Sequence, residues 1–476
     1  MSADETVDLL VIGAGPAGLA AATWAAGQGM RTMLLDEQAA PGGQIYRAVR
    51  STPVQQRAIL GPDYWHGETL VQAFTASAAQ YQPRATVWAV QREPEQPFEV
   101  AYSVDGQAAV QRARHLIVAT GAQERPFPIP GWTLPGVLTA GAAQILLKTS
   151  AVVPSGPTVL AGAGPLLYLL AWQYLNAGVP VQAILETTPA DRWLQAWPHV
   201  WSFLRSPYLL KGLKLLREVR AAVPITTGVS ELQALGSERL QGVRFNAGGR
   251  EREMAAELLL LHQGVVPNVN LSRALGLAHE WNEAQACWQP QLDDWGASSV
   301  QHLSLAGDGA GIAGAQAAEH RGRLAAVHAA WALGRLPAAE RDRLAIPHRQ
   351  ALARATRGRA FFETLYRPAD ALRRPVGDTL VCRCEEVSAE QVRQVARLGC
   401  PGPNQLKAFL RCGMGPCQGR CCGLTVSELM AEESVRSVAD VGYYRVRFPI
   451  KPLSLGELAT LPQTEDSRHA VIRTLR

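Results

Sequence analysis

The sequence predicts an α/β fold: two dinucleotide-type units in tandem, followed by a small cysteine-bearing module. Three observations carry that expectation. An apolar strand, a Gly-x-Gly loop, a helix and a second strand ending in an acid occur at residues 7–36 and again at 158–186. The apolar runs before each loop are short and continuous, as in strands covered on both faces of a parallel sheet. The cysteines are segregated: the first 286 residues contain none, and seven of the eight fall between Cys382 and Cys422.

At 476 residues the chain has room for roughly two to four domains, and 47% hydrophobic content allows sizeable cores. The net charge of +5 is mild for this length, and no nucleic-acid partner is expected. The arginines concentrate between Arg341 and Arg374, which reads as a solvated helical face or a surface for an acidic partner. The N-terminus, MSADETVD, is acidic and runs straight into a strand, so no signal peptide is expected. The uncharged run from Thr149 to Leu185 is long enough to mimic a membrane span. Gly162, Gly164 and Pro165 fall where a strand must turn into a helix, so a buried strand–turn–helix is expected there and no transmembrane segment. The expected location is cytoplasmic, with reduced thiols, where clustered cysteines mean metal or redox chemistry.

The first unit begins with Val7 to Ile12 (VDLLVI), a largely apolar run that reads as a buried parallel strand. Gly13-Ala14-Gly15-Pro16-Ala17-Gly18 follows, then an alanine-rich helix to about Gly29, then a strand from Arg31 to Leu35 that ends at Asp36 and Glu37. Gly13 permits the tight turn. Gly15 removes the Cβ that would hold the backbone off a pyrophosphate, and Gly18 lets the helix lie close on the strand. The helix N-terminus, entered through Pro16 and Ala17, offers free N–H groups and a positive dipole end to phosphate. Asp36 stands 18 residues after Gly18, where a carboxylate accepts hydrogen bonds from ribose hydroxyls.

The second unit repeats the pattern imperfectly. Its loop reads Gly162-Ala163-Gly164-Pro165-Leu166-Leu167, so Leu167 occupies the third glycine position, while Glu186 supplies the acidic strand end. Leucine there pushes the helix off the strand and narrows the pyrophosphate slot. Two states stay open: an empty, structural unit, or one holding NAD(H) or another adenine nucleotide in an altered way. Downstream, Arg192 to Val219 mixes Trp193, Trp197, Trp201, Phe203 and Tyr208 with several bases at near-helical spacing. It reads as a core or interface helix pair, or, functionally, as a subunit interface or a channel lining.

After the arginine-rich stretch come Cys382-Arg383-Cys384-Glu385-Glu386-Val387, a helical run from Ser388 to Leu398, and Arg411-Cys412-Gly413-Met414-Gly415-Pro416-Cys417-Gln418-Gly419-Arg420-Cys421-Cys422-Gly423. Four converging thiolates suit a [2Fe–2S] cluster or tetrahedral zinc. The intervening glycines let backbone N–H groups face sulfur. A metal-free fold is the third alternative.

Several segments resemble known families. Ala119-Thr120-Gly121 closes the apolar strand HLIVATG, and Gly307-Asp308 closes LSLAGD. Both resemble motifs of the two-dinucleotide-fold, glutathione-reductase-like flavoproteins. The resemblance implies FAD in the first unit, with Asp308 on the ribitol chain and the Pro41-Gly42-Gly43-Gln44 loop beside the flavin. A disulfide reductase on this fold needs a cysteine pair next to the flavin, and none is available. The pattern CxCEEV and then GMGxCQGxxC resembles the bacterioferritin-associated-ferredoxin-like [2Fe–2S] module. That module occurs in the alpha subunits of heteromeric opine and amine dehydrogenases, in D-hydroxyproline dehydrogenase alpha subunits and in a hydrogen cyanide synthase flavin subunit. Sarcosine oxidase and archaeal proline dehydrogenase alpha subunits are more distant. GAGPAG, PGGQIYR, ATGAQERPFPIPGW and GAGPLL resemble the same group, so the likeness covers nearly the whole chain. It implies Cys382, Cys384, Cys417 and Cys422 as ligands. Cys421 competes with Cys422, Cys412 lies nearby, and Cys400 and Cys287 are plain thiols.

The resemblance further implies an FAD- and [2Fe–2S]-containing alpha subunit of a dehydrogenase acting on a secondary amine or imino acid. The substrate class is D-hydroxyproline, an opine such as octopine or nopaline, or a related N-substituted amino acid. The implied partners are a beta subunit with its own FAD, which takes hydride from the C–N bond, and a small third subunit. An interfacial flavin, FMN, would join the electron path, whose order and terminal acceptor the sequence does not set. No acid–base or nucleophile constellation is visible; Glu319 and His320 read as a helix-surface pair. Two rival classes are a single-chain NAD(P)H-dependent ferredoxin-type reductase and a non-catalytic, zinc-stabilised redox sensor or assembly subunit. The expected domains are a discontinuous FAD domain (1–125 and 290–335), a second nucleotide-type domain (126–289), a connector (336–375), the cluster module (376–430) and a tail (431–476).

Overall fold

A computed structural model describes residues 5–93 and 95–461. The N-terminal four residues and the end of the expected tail lie outside them. Val7–Ile12 is buried at all six positions and pairs in parallel with Thr32–Leu35 on one side and Gln107–Val118 on the other. Gln80–Gln82 and Leu303–Leu305 extend the parallel part. The strand expected at His115 is the end of a longer one. Gln107–Val118 runs antiparallel to Phe98–Val104, which runs antiparallel to Thr86–Gln91. Asp105 and Gly106 close the first of these hairpins with positive φ of 48° and 81°, the type I′ geometry that an Asp-Gly pair favours.

On one face of this sheet the alanine-rich helix Pro16–Gly27 packs against Ala315–Ala332. Small side chains let the two axes approach; a Cβ on Gly322 would overlap the Ala17 carbonyl. The second unit is a five-stranded parallel sheet in the order 225–226, 183–186, 158–162, 258–262, 137–139, with a three-stranded antiparallel sheet beside it. Ala122–Glu124 and Val265–Pro267 pair antiparallel where the chain crosses between the units.

The arginine-rich stretch is helical, at Ala338–Ala355, Arg359–Leu365 and Asp370–Arg373. Several of its charges find partners within the chain, while Arg343, Arg354 and Arg357 are exposed. The Arg341 and Arg349 guanidinium groups each lie 4.5 Å from the Trp295 ring centre, and Arg373 pairs with Glu428, both buried. The aromatic segment forms Arg192–Ala196, Trp197–His199, Val200–Leu204 and Tyr208–Ala222. Ala196, Val200 and Phe203 pack on Phe361 and Leu365. Trp193, Trp197 and Trp201 face outward at 58%, 72% and 70% exposure, so they are not core residues.

The cysteine module comprises the hairpin Leu380–Cys382 and Val387–Ser388, then helices Ala389–Arg397, Pro403–Leu410 and Gly423–Glu433. Ser388 and Gln391 form a reciprocal capping box that fixes where the first helix starts. The last helix runs across the 430/431 boundary expected from sequence. Beyond it, Val446 and Ile450 are buried in the core of the first sheet, and the Ile450 N–H donates to the Trp88 carbonyl at 2.9 Å. Among the described residues no helix is long and apolar enough to cross a membrane.

Candidate functional site

The first glycine loop sits at the C-terminal end of Val7–Ile12, and three other sequence-predicted segments converge on it. A Cβ on Gly13 would fall 2.5 Å from the Ala119 carbonyl oxygen, and one on Gly43 would fall 2.7 Å from Gly15 Cα. One on Gly307 would fall 2.9 Å from the Ala17 Cβ, and one on Gly309 would fall 3.2 Å from the Gly121 carbonyl oxygen. Thr120, between Ala119 and Gly121, shares this corner: its Oγ1 lies 3.7 Å from the same Gly309 position. The cradle thus has backbone on all sides and very few side chains. No side chain caps the helix at Gly15, which leaves its first-turn N–H groups for an anion.

The acids are held in register. Asp36 accepts hydrogen bonds from the backbone N–H groups of Ala14 (2.5 Å) and Gln38 (2.7 Å). Burial raises its pKa, against the lowering effect of those two donors. Burial would also raise Glu37, but Lys451 at 2.7 Å, with Arg420 and Arg47, holds it below the usual range. Asp308 Oδ1 accepts from the N–H groups of Ala313 (2.8 Å) and Gly314 (3.0 Å), which fixes the turn into the helix Ala315–Ala332. The loop carrying Gly43 and Gln44 is tied from the second unit. Lys148 Nζ donates to the carbonyls of Gln44 (3.4 Å) and Ile45 (3.0 Å). This donor set and its side-chain-free floor fit a dinucleotide.

The second loop has different surroundings. Leu167 is fully buried. Glu186 accepts from the Tyr168 hydroxyl (2.8 Å) and the Thr188 hydroxyl (3.1 Å). The ring of His262, bonded through Nδ1 to Glu124 at 2.6 Å, lies against the loop: its Nε2 is 3.5 Å from where a Gly164 Cβ would stand. Glu124 in turn accepts from the Gly141 N–H at 2.9 Å.

Six cysteines gather in the C-terminal module as two triples. The sulfurs of Cys382, Cys412 and Cys422 all lie within 4.8 Å of one another and are buried. Hydrogen bonds from Cys412 and Cys422 pull the Cys382 thiol down to about 2, and the bond to Cys382 pushes Cys412 up to about 12. In the second triple the Cys421 and Cys384 thiols donate to Cys417. The Cys421 bond brings Cys417 down to about 5, and Cys421 itself is raised by that bond and by burial. The expected ligands therefore divide evenly, Cys382 and Cys422 inward, Cys384 and Cys417 outward. Each triple adds one further thiol, Cys412 inside and Cys421 outside. Two adjacent groups of sulfurs fit a binuclear cluster. Cys400 bonds to the Gly402 carbonyl at 3.6 Å, and Cys287 is buried with its thiol raised to about 11 by burial; neither joins a triple.

The cysteine module docks against the first unit. Gln123 Nε2 donates to the Arg420 carbonyl at 2.8 Å, and Asn270 Nδ2 donates to the Gln418 carbonyl at 3.1 Å. Glu319 is not on the helix surface as expected. It is buried and bonded to His66 at 2.9 Å, while the His320 ring stands 5.7 Å from that of His348. Lys148 and the Glu124–His262 pair escaped sequence reading, because a single lysine or histidine carries no local spacing signal.

Residues 7–334 match the pyridine nucleotide-disulphide oxidoreductase family, and residues 377–461 match the sarcosine oxidase A3 domain. The opine oxidase A protein of Rhizobium meliloti is 48% identical over 98% of this chain and 90% of that protein. Hydrogen cyanide synthase subunit HcnB of Pseudomonas aeruginosa is 34% identical over 95% of this chain and 98% of that protein. Among solved structures, L-proline dehydrogenase from P. horikoshii aligns with a TM-score of 0.69 over 95% of this chain and 79% of that one. At 18% identity that likeness concerns the fold.

Proposed function

We propose a function from one premise: the chain belongs to the pyridine nucleotide-disulphide oxidoreductase family, in the group of the opine oxidase A subunits, and is an FAD-dependent oxidoreductase. Our reading is an electron-transfer alpha subunit of a heteromeric dehydrogenase, carrying FAD and a [2Fe–2S] cluster. Its complex would oxidise a secondary amine or imino acid: an opine, D-hydroxyproline or a related N-substituted amino acid. A beta subunit with its own FAD would oxidise the C–N bond. A small third subunit, an interfacial FMN and a cytoplasmic location belong to the same proposal. The outward Trp193, Trp197 and Trp201 support a chain that has a partner, because large exposed aromatic groups favour interfaces.

The observation that carries this reading is the contact between the glycine-loop cradle and the cysteine module. The carbonyl of Arg420, between Cys417 and Cys421, accepts from Gln123, two residues past Gly121. When bound, FAD supplies two-electron exchange and a [2Fe–2S] cluster supplies one-electron exchange. Gly13, Gly15, Pro16, Ala17 and Gly18 would hold the pyrophosphate, and Asp36 and Glu37 the adenosine end. Gly43, Gln44, Ala119, Thr120, Gly121, Gly307 and Asp308 would line the remainder. Cys382, Cys384, Cys417 and Cys422 would hold the cluster, with Cys421 as the alternative to Cys422. No acid–base residue is assigned to this chain. The leucine at the third glycine position, Leu167, and the engagement of Glu186 by Tyr168 and Thr188 count against a self-contained NAD(P)H-dependent reductase.

The deciding experiment is anaerobic purification of the chain with and without its partner subunits, followed by flavin, iron and acid-labile sulfide assays. Flavin, iron and sulfide together, with amine dehydrogenation only in the presence of a partner, is the expected result. Bleaching of the flavin by NADH or NADPH in the isolated chain would overturn it in favour of the reductase. Zinc in place of iron would favour the sensor. Cys417→Ser should remove iron and sulfide and leave FAD bound.

A further inference from the structure

Tyr444 lies beyond the cysteine-rich segment, yet that segment encloses its ring, which is 1% exposed. Two glycines make the room. A Cβ on Gly413 would fall 2.5 Å from the Tyr444 Cζ, and one on Gly419 would fall 2.5 Å from its Cδ2. Lys407 Nζ stands 4.8 Å over the ring, and the Tyr443 ring meets it edge-on at 5.6 Å. The phenol oxygen lies 3.7 Å from Cys422 Sγ.

We infer that the Tyr444 hydroxyl donates a hydrogen bond to the Cys422 sulfur and thereby sets the reduction potential of the cluster; the inference rests on the [2Fe–2S] reading above. A ligating thiolate has no proton, so within this pair only the phenol can donate. A phenol carries its proton at neutral pH. Tyr444 and Cys422 are both buried, and the low local dielectric strengthens the bond. A donor at a ligand sulfur withdraws electron density from it and stabilises the more negative reduced cluster, so the potential rises. Tyr443 is the internal contrast: its hydroxyl donates to the Gly419 carbonyl at 3.3 Å rather than to sulfur.

The test compares Tyr444→Phe and Tyr443→Phe in the full-length chain, purified anaerobically. Iron and sulfide are assayed first, and the cluster is then titrated electrochemically by visible absorption and electron paramagnetic resonance. The expected result is unchanged iron and sulfide in both variants, a more negative potential in Tyr444→Phe only, and a changed resonance anisotropy in that variant. A wild-type potential in Tyr444→Phe overturns the inference. A wild-type chain without iron and sulfide overturns the cluster reading, and this inference with it. Should Tyr444→Phe lose its cluster, 3-fluorotyrosine is incorporated into the Tyr443→Phe chain. The more acidic phenol should then move the potential upward, and no shift overturns the inference.

Discussion

The two glycine loops of this chain are one device built twice, and they differ where dinucleotide geometry is least forgiving. In the first, Gly18 has no room for a side chain, because a Cβ there would overlap the Gly13 carbonyl. In the second, a fully buried leucine stands at the same place. The strand-end acids differ too. Asp36 accepts from backbone amides of its own loop and strand, whereas Glu186 accepts from the hydroxyls of Tyr168 and Thr188. Strand, loop, helix and acid in sequence therefore specify a fold. We propose that occupancy depends on the third glycine position and on what the acid already holds.

The strongest way to break this comparison is to make the first loop like the second. Gly18→Leu forces the helix off the strand and moves its N-terminus away from phosphate. Overpacking alone costs about 1–3 kcal/mol. With the lost anion site added, FAD retention should fall by about two orders of magnitude or more. The flavin-to-protein absorbance ratio measures it, with circular dichroism to show that the chain is folded. Full flavin content in Gly18→Leu would mean that the third glycine does not decide occupancy.

A smaller effect separates the two acids. Hydrogen bonds to charged groups contribute about 1.5–3 kcal/mol, so Asp36→Ala should weaken FAD binding by about 10- to 100-fold in titrations of flavin-stripped protein. Glu186→Ala should leave FAD binding unchanged. It should instead destabilise the fold by about 1–2 kcal/mol, by leaving the Tyr168 hydroxyl without its acceptor, as read from thermal unfolding. Equal losses of flavin in the two variants would erase the distinction.

What was legible in the sequence was local. The spacing of Gly13, Gly15 and Gly18 lies within one strand–loop–helix turn, where a Gly18 Cβ would overlap the Gly13 carbonyl, and the cysteine spacing is confined to some forty residues. Leu167 already marked the second loop as altered. The rest depends on partners far apart in the chain. His66 meets Glu319 across 253 residues, Gln123 meets Arg420 across 297, and Lys148 reaches Ile45 across 103. The arginine-rich stretch is solvated at Arg343, Arg354 and Arg357, but the Trp295 ring that Arg341 and Arg349 stack on belongs to a distant loop and leaves no local signal. Cys412 stood near the expected ligands in sequence, but its grouping with Cys382 and Cys422 is set by the fold.

The same comparison suggests that the second unit braces the first. Lys148 is 2% exposed, and its ammonium reaches Gln144 Oε1 at 2.8 Å as well as the carbonyls of the Gly43–Gln44 loop. Burial, with Arg47 nearby, brings its pKa down to about 7. An unfolded lysine titrates near 10.4, so between about pH 7 and pH 10 the unfolded chain binds the extra proton. Stability contributed by this site must therefore rise with pH across that window and stay flat below it. Lys148→Met removes the proton and the slope together. The wild-type melting temperature should gain on that of Lys148→Met by about 1–3 °C from pH 7 to pH 9, measured in parallel with flavin bound. Lys148→Met should also release FAD slightly more readily, since the loop loses its tether. Parallel pH curves would place the proton elsewhere, and unchanged flavin release would mean that the lysine holds the two units together without supporting the flavin loop.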